Sequence, residues 1–287
     1  MKNTKIEWCD RTWNPVTGCF HGCEYCYAKK IAERFKGCDS ASTYNTYGYA
    51  KWKCVKQGIG MENALFETDE KRPPVTVKFD AKRQRQTVKI APYPWGFNPT
   101  LHRHLLKQPE VWHEPRVIFV CSMADLFGAW VPDEWIDEVF KACEEAPQHT
   151  YLFLTKNPSR YCQLDDAGKL PHKENWWFGS TWTKPGNCIF TGGVGTNTFV
   201  SIEPLLAEPD IIHGTGVFDW MIIGAETGNR KEKVIPKKEW IEKLCWAADN
   251  QANCPVFMKD SLIPIVGEEN MRREFPAAMK MALGVGK

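Results

Sequence analysis

Six short apolar runs, each closing in polar residues, recur along the chain and constrain its fold more than any other feature. They are "VIFVCSMAD" (Val117 to Asp125), "TYLFLTKNPSR" (Thr150 to Arg160), "NWWFGSTW" (Asn175 to Trp182), "TFVSIEP" (Thr198 to Pro204), "DWMIIGAETG" (Asp219 to Gly228) and "PVFMKDS" (Pro255 to Ser261). Short, wholly apolar strands suit a parallel sheet covered on both faces. Helical stretches lie between several of them. In Pro132 to Ala146, a Pro-Asp-Glu opening suits a helix N-terminus, and Trp135, Ile136, Val139, Phe140 and Cys143 share one face. Pro236 to Gln251 repeats the pattern with Trp240, Ile241, Leu244 and Ala247. Strands alternating with such helices mean βαβ units. With "WNPVTGC" and "PVTVKFD" added upstream, the reading is α/β: a full or partial (β/α) TIM-like barrel of about six to eight parallel strands. A doubly wound open sheet is the alternative. The 287 residues suit one barrel domain, 1–287, with the irregular region 36–99 after the first helix read as an insertion or cap. "KPGNCIFTGGVGTN" (Lys184 to Asn197) reads as a flexible connection, because its glycines do not open a helix as a dinucleotide fingerprint requires.

Composition narrows the function classes. With 37 basic against 35 acidic residues the net charge is +2, so no global field announces nucleic acid, although a local basic groove is compatible with it. No apolar run approaches the ~20 residues of a membrane span, and "MKNTKIEWCDRTWNP" lacks the apolar core of a signal peptide. The expectation is a cytoplasmic protein with reduced thiols. Nine of the twelve cysteines are scattered singly; Cys121, Cys143, Cys245 and Cys254 read as small buried hydrophobes.

In an α/β barrel the chemistry gathers at the C-terminal ends of the strands. The residues closing the six runs are Ser122 and Asp125; Thr155, Lys156 and Arg160; Ser180 and Thr181; Ser201 and Glu203; Glu226; and Lys259 with Asp260. Any one of these alone reads as a solvated strand end. Six strands ending this way argue for convergence on one mouth.

The remaining cysteines, Cys19, Cys23 and Cys26, form a C-x3-C-x2-C cluster in "GCFHGCEYCYA". It falls on the loop after "WNPVTGC", leading into the helix "EYCYAKKIAERF". Three readings compete. A structural zinc wants four ligands, usually two C-x2-C pairs; Cys9 or His21 would be the fourth, and the chain has no second such pair. Three independent thiols are the second reading. An iron–sulfur cube, ordinarily held by four thiolates, is the third: three ligands leave one iron open to a substrate or cofactor. Gly18 and Gly22 would let the backbone wrap closely round such a cube.

The motif, with an aromatic residue before its last cysteine, resembles the cluster-binding loop of the radical S-adenosylmethionine (SAM) superfamily. "TKIEWCDRTWNPVTGC", "CYA", "SMADLF", "LTKNPSR", "SIEPLL" and "DWMIIGAETG" together resemble the phage Gp37/Gp68 family of three-Cys-motif proteins, from about Thr4 to Lys259. The resemblance implies that Cys19, Cys23 and Cys26 hold a 4Fe–4S cluster and that SAM chelates the open iron. One electron, from a flavodoxin- or ferredoxin-like donor, then cleaves SAM to a 5′-deoxyadenosyl radical that abstracts hydrogen. It implies further that Tyr25 lies by the adenine through its backbone.

Two departures qualify the resemblance. A Gly-Gly-Glu-like segment after the second strand, which would hold the SAM amino group, is missing from "PVTVKFDAKRQ", and "GAE" at Gly224 to Glu226 comes too late in the chain. Ser122 or Asp125 is assigned that role instead, Lys156 or Arg160 the SAM carboxylate, and Ser201 and Glu203 the ribose hydroxyls. Glu226 and Lys259 are left for substrate as catalytic candidates. The second departure is Lys184 to Asn197, where the family has a longer, more helical segment. For the substrate, aromatic and basic residues mix in Tyr44 to Lys56 and Lys78 to Lys89, as in a stacking platform with phosphate-binding lysines or an ordinary solvated surface. The phage association points toward a nucleic acid base or nucleotide. A non-enzymatic binding protein stabilised by zinc or a cluster is the rival.

Overall fold

The computed structural model describes residues 4–37, 52–56, 64–210 and 218–279. The N-terminal run expected as one strand is two, β1 (Arg11–Trp13) and β2 (Val16–Thr17). Pro15 explains the break, since it has no N–H for a ladder and restricts Asn14 before it. There follow β3 (Trp52–Lys56), β4 (Leu65–Thr68), β5 (Val75–Asp80), β6 (Arg85–Ile90) and β7 (Thr100–His102). The six apolar runs supply β8 (Val117–Val120), β9 (Thr150–Thr155), β10 (Trp176–Thr181), β11 (Asn197–Ile202), β12 (Met221–Ile223) and β13 (Val256–Met258). The longer helices are α1 (Tyr27–Arg34), α2 (Asp133–Glu144), α3 (Ser159–Asp166) and α4 (Lys238–Ala247). The chain divides into two units: Met1–Thr12, Trp112–Val120 and Ala146–Lys287 form the first; Trp13–Val111 and Cys121–Glu145 form the second.

The first unit is built on a mixed α/β plan around a seven-stranded sheet of order β1-β8-β9-β10-β11-β12-β13. β8 to β13 pair in parallel, each with its successor, for example Val117 with Thr150 and Ile223 with Met258. β1 and β13 are edges, so the sheet is a half-barrel and the closed alternative is set aside. The chain itself shows why it stops at β13. Residues after that strand return antiparallel along its free side: Met258 N–H donates to the Arg272 carbonyl at 2.8 Å and Glu274 N–H to Val256 at 3.0 Å. They cover the edge that another parallel strand would otherwise use.

Alternating residues of each strand enter different cores, as the two-residue period requires. Phe199, Ile222 and Phe257 pack with Trp8, Phe119, Trp177 and Trp220. Val200, Ile202, Met221, Ile223, Val256 and Met258 pack with Ile241 and Leu244 of α4. Both faces are therefore dry, as the unbroken apolar runs demand. Cys254 is buried with the second set, whereas Cys245 is only half-buried. No regular element forms over residues 184–196.

The second unit carries a four-stranded sheet, β2-β7-β4-β3, and a separate antiparallel hairpin, β5–β6. "PVTVKFD" thus belongs to the hairpin and not to the main sheet; its alternation of apolar and polar residues is that of a ribbon rather than of a doubly buried strand. Much of the expected insertion, 36–99, lies in this unit, and residues 44–51 of the aromatic stretch fall outside the described residues. α2 buries Trp135, Ile136, Val139, Phe140 and Cys143, the face expected of it, and Cys121 is buried too.

Within the four-stranded sheet His102 is buried, with its Nε2 2.9 Å from Thr17 Oγ1. Burial, with the neighbouring His104 adding to it, pushes the imidazole down to about 3. The folded protein therefore keeps His102 neutral at pH values where the unfolded chain, titrating near 6.5, takes up a proton. Its contribution is complete above pH 6.5 and falls as the pH drops toward 3. Thermal melts between pH 7 and 4 should show the wild-type Tm declining more steeply with acid than that of His102→Gln.

Candidate functional site

The cysteine loop begins where β2 ends. Gly18 adopts φ +87°, and its N–H donates to the Met123 carbonyl at 2.9 Å, in a parallel bridge with Ala124. Cys19 N–H donates to the Phe97 carbonyl at 3.1 Å. The loop is thus tied to the segment after β8 and to residues 97–98. A side chain at Gly18 would place its Cβ 2.3 Å from the Asn98 carbonyl oxygen, so the close approach requires glycine. Cys26 caps α1: its Sγ accepts the Lys29 N–H at 3.3 Å, and its own N–H donates to Cys23 at 3.1 Å. Helix α1 therefore starts at Tyr27, later than expected, and Cys23, Tyr25 and Cys26 belong to its approach.

All three thiols are half-buried and line one cleft of about 770 Å³, shared with His21, Lys29, Lys36 and residues 94–98. Cys19 Sγ accepts the His21 N–H at 3.5 Å. Burial pushes the Cys19 thiol up to about 12; Asp125, Cys23 and Cys26 push the same way, and the His21 N–H opposes them. A bound cation would draw this thiol toward the thiolate.

The sheet also revises the first departure from the resemblance. β8, not "PVTVKFD", is the strand that follows β1, so the residues after the second strand are Cys121 to Asp125. Ser122 and Asp125 do lie against the cysteine loop, but each is engaged. Ser122 Oγ donates to Asn14 Oδ1 at 3.1 Å, and Tyr27 donates its hydroxyl to the Ser122 carbonyl at 2.8 Å. Asp125 Oδ1 accepts the Phe127 N–H at 3.1 Å, and its Oδ2 lies 2.7 Å from His21 Nε2. The His21 ring meets Trp130 edge-on at 4.8 Å. His21, a candidate fourth zinc ligand, thus has Nε2 committed to Asp125. The other candidate, Cys9, is 1% exposed in the core of the first unit.

The other candidates belong to the first unit. Lys156 is exposed just after β9, and Arg160 is half-buried in α3. Ser201 is buried within β11. Glu203 and Lys259, from the ends of β11 and β13, are brought together as an ion pair, with Gly224 after β12 leaving room for both side chains. Glu226 is gripped by Arg230 through two 2.7 Å contacts, which hold its carboxyl below the usual range. Glu226 and Lys259 therefore already have protein partners, which a substrate would have to displace. Asn14, Tyr27, Lys29 and the wall at 94–98 are site residues that the sequence reading missed. Lys29 follows the motif closely enough to be found by helical spacing, whereas Asn14 and residues 94–98 reach the loop only through the fold.

Among the described residues no three His, Cys, Asp or Glu side chains converge on one point as a single bound ion requires. Residues 3–262 match the family described as "Protein of unknown function (DUF5131)". The chain belongs to that family. The DUF5131 match spans every candidate residue from Cys19 to Lys259 and ends before the β13 edge-covering segment at Arg272. No curated protein and no solved structure matches the chain.

Proposed function

We propose that this DUF5131 protein is a radical SAM enzyme of the Gp37/Gp68 type, with Cys19, Cys23 and Cys26 holding a 4Fe–4S cluster. The observation that carries the reading is the lining of one roomy cleft by three thiols from a single loop. The residues fit the group. Two of the sulfurs already accept backbone N–H bonds, the kind that stabilises a reduced cluster and tunes its potential. A cube also presents a separate iron to each thiolate, so the sulfurs need not converge on one point as they would around a zinc ion.

When bound, the cluster and SAM would supply reductive cleavage and hydrogen abstraction. The chain's own residues hold and shape the site. Gly18 fixes the loop against residues 97–98 and 123. Asp125 orients His21, and Lys29 places positive charge along the cleft, where Lys36 is paired with Glu33 at 2.8 Å. Tyr25, Ser122 and Asp125, which lie in the same unit as the three cysteines, are proposed for SAM. Glu226 and Lys259 are proposed for substrate, and a flavodoxin- or ferredoxin-like protein for the electron. The proposed hydrogen donor is a nucleotide or nucleic acid base.

Anaerobic reconstitution with iron and sulfide should give a brown protein with about four irons per chain. Adding reductant and SAM should then release 5′-deoxyadenosine, and Cys19→Ala, Cys23→Ala or Cys26→Ala should each abolish that release. A colourless protein holding one tight zinc would support a structural binding protein and sink the enzyme. Deuterium carried from a labelled nucleotide into 5′-deoxyadenosine would identify the donor.

A further inference from the structure

The β5–β6 hairpin stands apart chemically. Over Val75 to Ile90 it carries Lys78, Lys82, Arg83, Arg85 and Lys89 against one acid, Asp80. Five cations against one acid leave this ribbon at +4, in a chain whose total is +2. All five cations are exposed. Asp80 is turned to local use: its Oδ1 accepts the backbone N–H groups of Lys82 and Arg83 at 3.1 Å each, and among the described residues only Arg83 approaches its other oxygen, at 3.9 Å. Among the described residues Lys78, Lys82, Arg85 and Lys89 form no ion pair.

The pairing register sorts the side chains. Val75 faces Ile90, Val77 faces Val88 and Phe79 faces Gln86, giving one mainly apolar face. Thr76 faces Lys89, Lys78 faces Thr87 and Asp80 faces Arg85, so the other face alternates cations with hydroxyls across the two strands. Lys82 and Arg83 extend that charge round the turn. Lys, Arg and Thr are the side chains that contact phosphate oxygens, and two strands of cations spaced by hydroxyl donors suit a repeating polyanion. The two strands pair as a sheet of their own, and a two-stranded hairpin alone is marginal in water. It runs about 20 Å, and a two-stranded ribbon is one of the two elements that the major groove of B-form DNA admits.

We propose that the β5–β6 hairpin is a DNA-binding ribbon that seats its Lys78, Arg85 and Lys89 face and its Lys82–Arg83 turn on the phosphates of a duplex groove. None of the three cysteines takes part, so the inference stands apart from the cluster.

The test is the full-length protein titrated by fluorescence anisotropy against a labelled DNA duplex over a range of salt. Wild type should bind with a steep salt dependence. The variant Lys78→Gln, Lys82→Gln, Arg85→Gln, Lys89→Gln should lose on the order of 100-fold in affinity at 0.1 M salt, with the log–log salt slope falling by about 3 to 4. A control with Lys141, Lys169, Lys173 and Lys184 changed to Gln removes the same charge elsewhere on the exposed surface and should bind as wild type. Circular dichroism and Tm show that both variants stay folded. Because A-form RNA has a deep, narrow major groove, an RNA duplex should bind more weakly than DNA. The proposal is overturned if duplex DNA does not bind, if the ribbon variant keeps the wild-type slope, if the control loses as much, or if poly-glutamate competes as well as DNA at equal charge. Cys23→Ala should retain DNA binding, so failure of the cluster reading and failure of this one are read separately.

Discussion

Gly18→Ala should cost about 2–5 kcal/mol and, with the proposed cluster at this loop, abolish iron uptake as completely as loss of a cysteine. Two terms add. A φ of +87° is strained for any residue with a Cβ, at about 1–2 kcal/mol. The new methyl would also lie 2.3 Å from the Asn98 carbonyl oxygen and 2.4 Å from its carbon, which are backbone atoms that no rotamer change can move aside. Relieving that overlap adds about 1–3 kcal/mol in backbone shifts. The shift that relieves it pulls Gly18 N–H from Met123 and Cys19 N–H from Phe97, the two bonds that position the first thiol. Gly22→Ala is the internal control. Gly22 also has positive φ, at +68°, yet nothing lies within 4 Å of a Cβ there. It should cost only about 1–2 kcal/mol and leave iron binding intact. Chemical denaturation and iron content after anaerobic reconstitution check both variants. Equal losses from the two substitutions would mean that backbone strain alone, not the approach to Asn98, governs the loop.

The main sheet was legible because burial on both faces writes itself as unbroken apolar runs, and all six became neighbouring strands. The helices α2 and α4 were legible for a similar reason: one apolar stripe at helical spacing can be buried in only one way. β2 and the β5–β6 hairpin were misjudged, because two strand residues beside a proline carry too little pattern, and an alternating ribbon resembles a half-covered strand. Closure was not legible at all. The segment that covers β13 is polar, Arg272 to Glu274, and its role rests on backbone bonds that leave no side-chain signature. The three thiols were found from spacing alone. Their surroundings were not: Asn14, Trp130 and residues 94–98 reach the loop through the fold, and the grip of Arg230 on Glu226 shows only once the turn between them is formed.

Glu67→Ala should destabilise the protein by about 2–4 kcal/mol, close to what breaking a buried ion pair costs. Glu67 has a side chain 10% exposed and serves two partners at once. Its Oε1 accepts the indole N–H of Trp135 at 2.8 Å, joining β4 to α2, and its Oε2 accepts Arg103 Nη1 at 2.7 Å. Truncation leaves the buried Trp135 N–H without an acceptor, a desolvation penalty of about 1–3 kcal/mol. Arg103 fares better, because Nε and Nη2 still donate to Glu138 at 3.0 and 2.7 Å, which keeps the loss below that of a fully isolated charge. Glu67→Gln retains an oxygen for Trp135 and surrenders only the charge, so it should cost less than the alanine. Trp135→Phe removes the donor, and combining it with Glu67→Ala should cost clearly less than the two singles added together, because each single already breaks the same bond. Urea melts of the four proteins measure that coupling. Strict additivity would show that the Glu67–Trp135 bond contributes nothing and that the cost of Glu67→Ala comes from Arg103 alone.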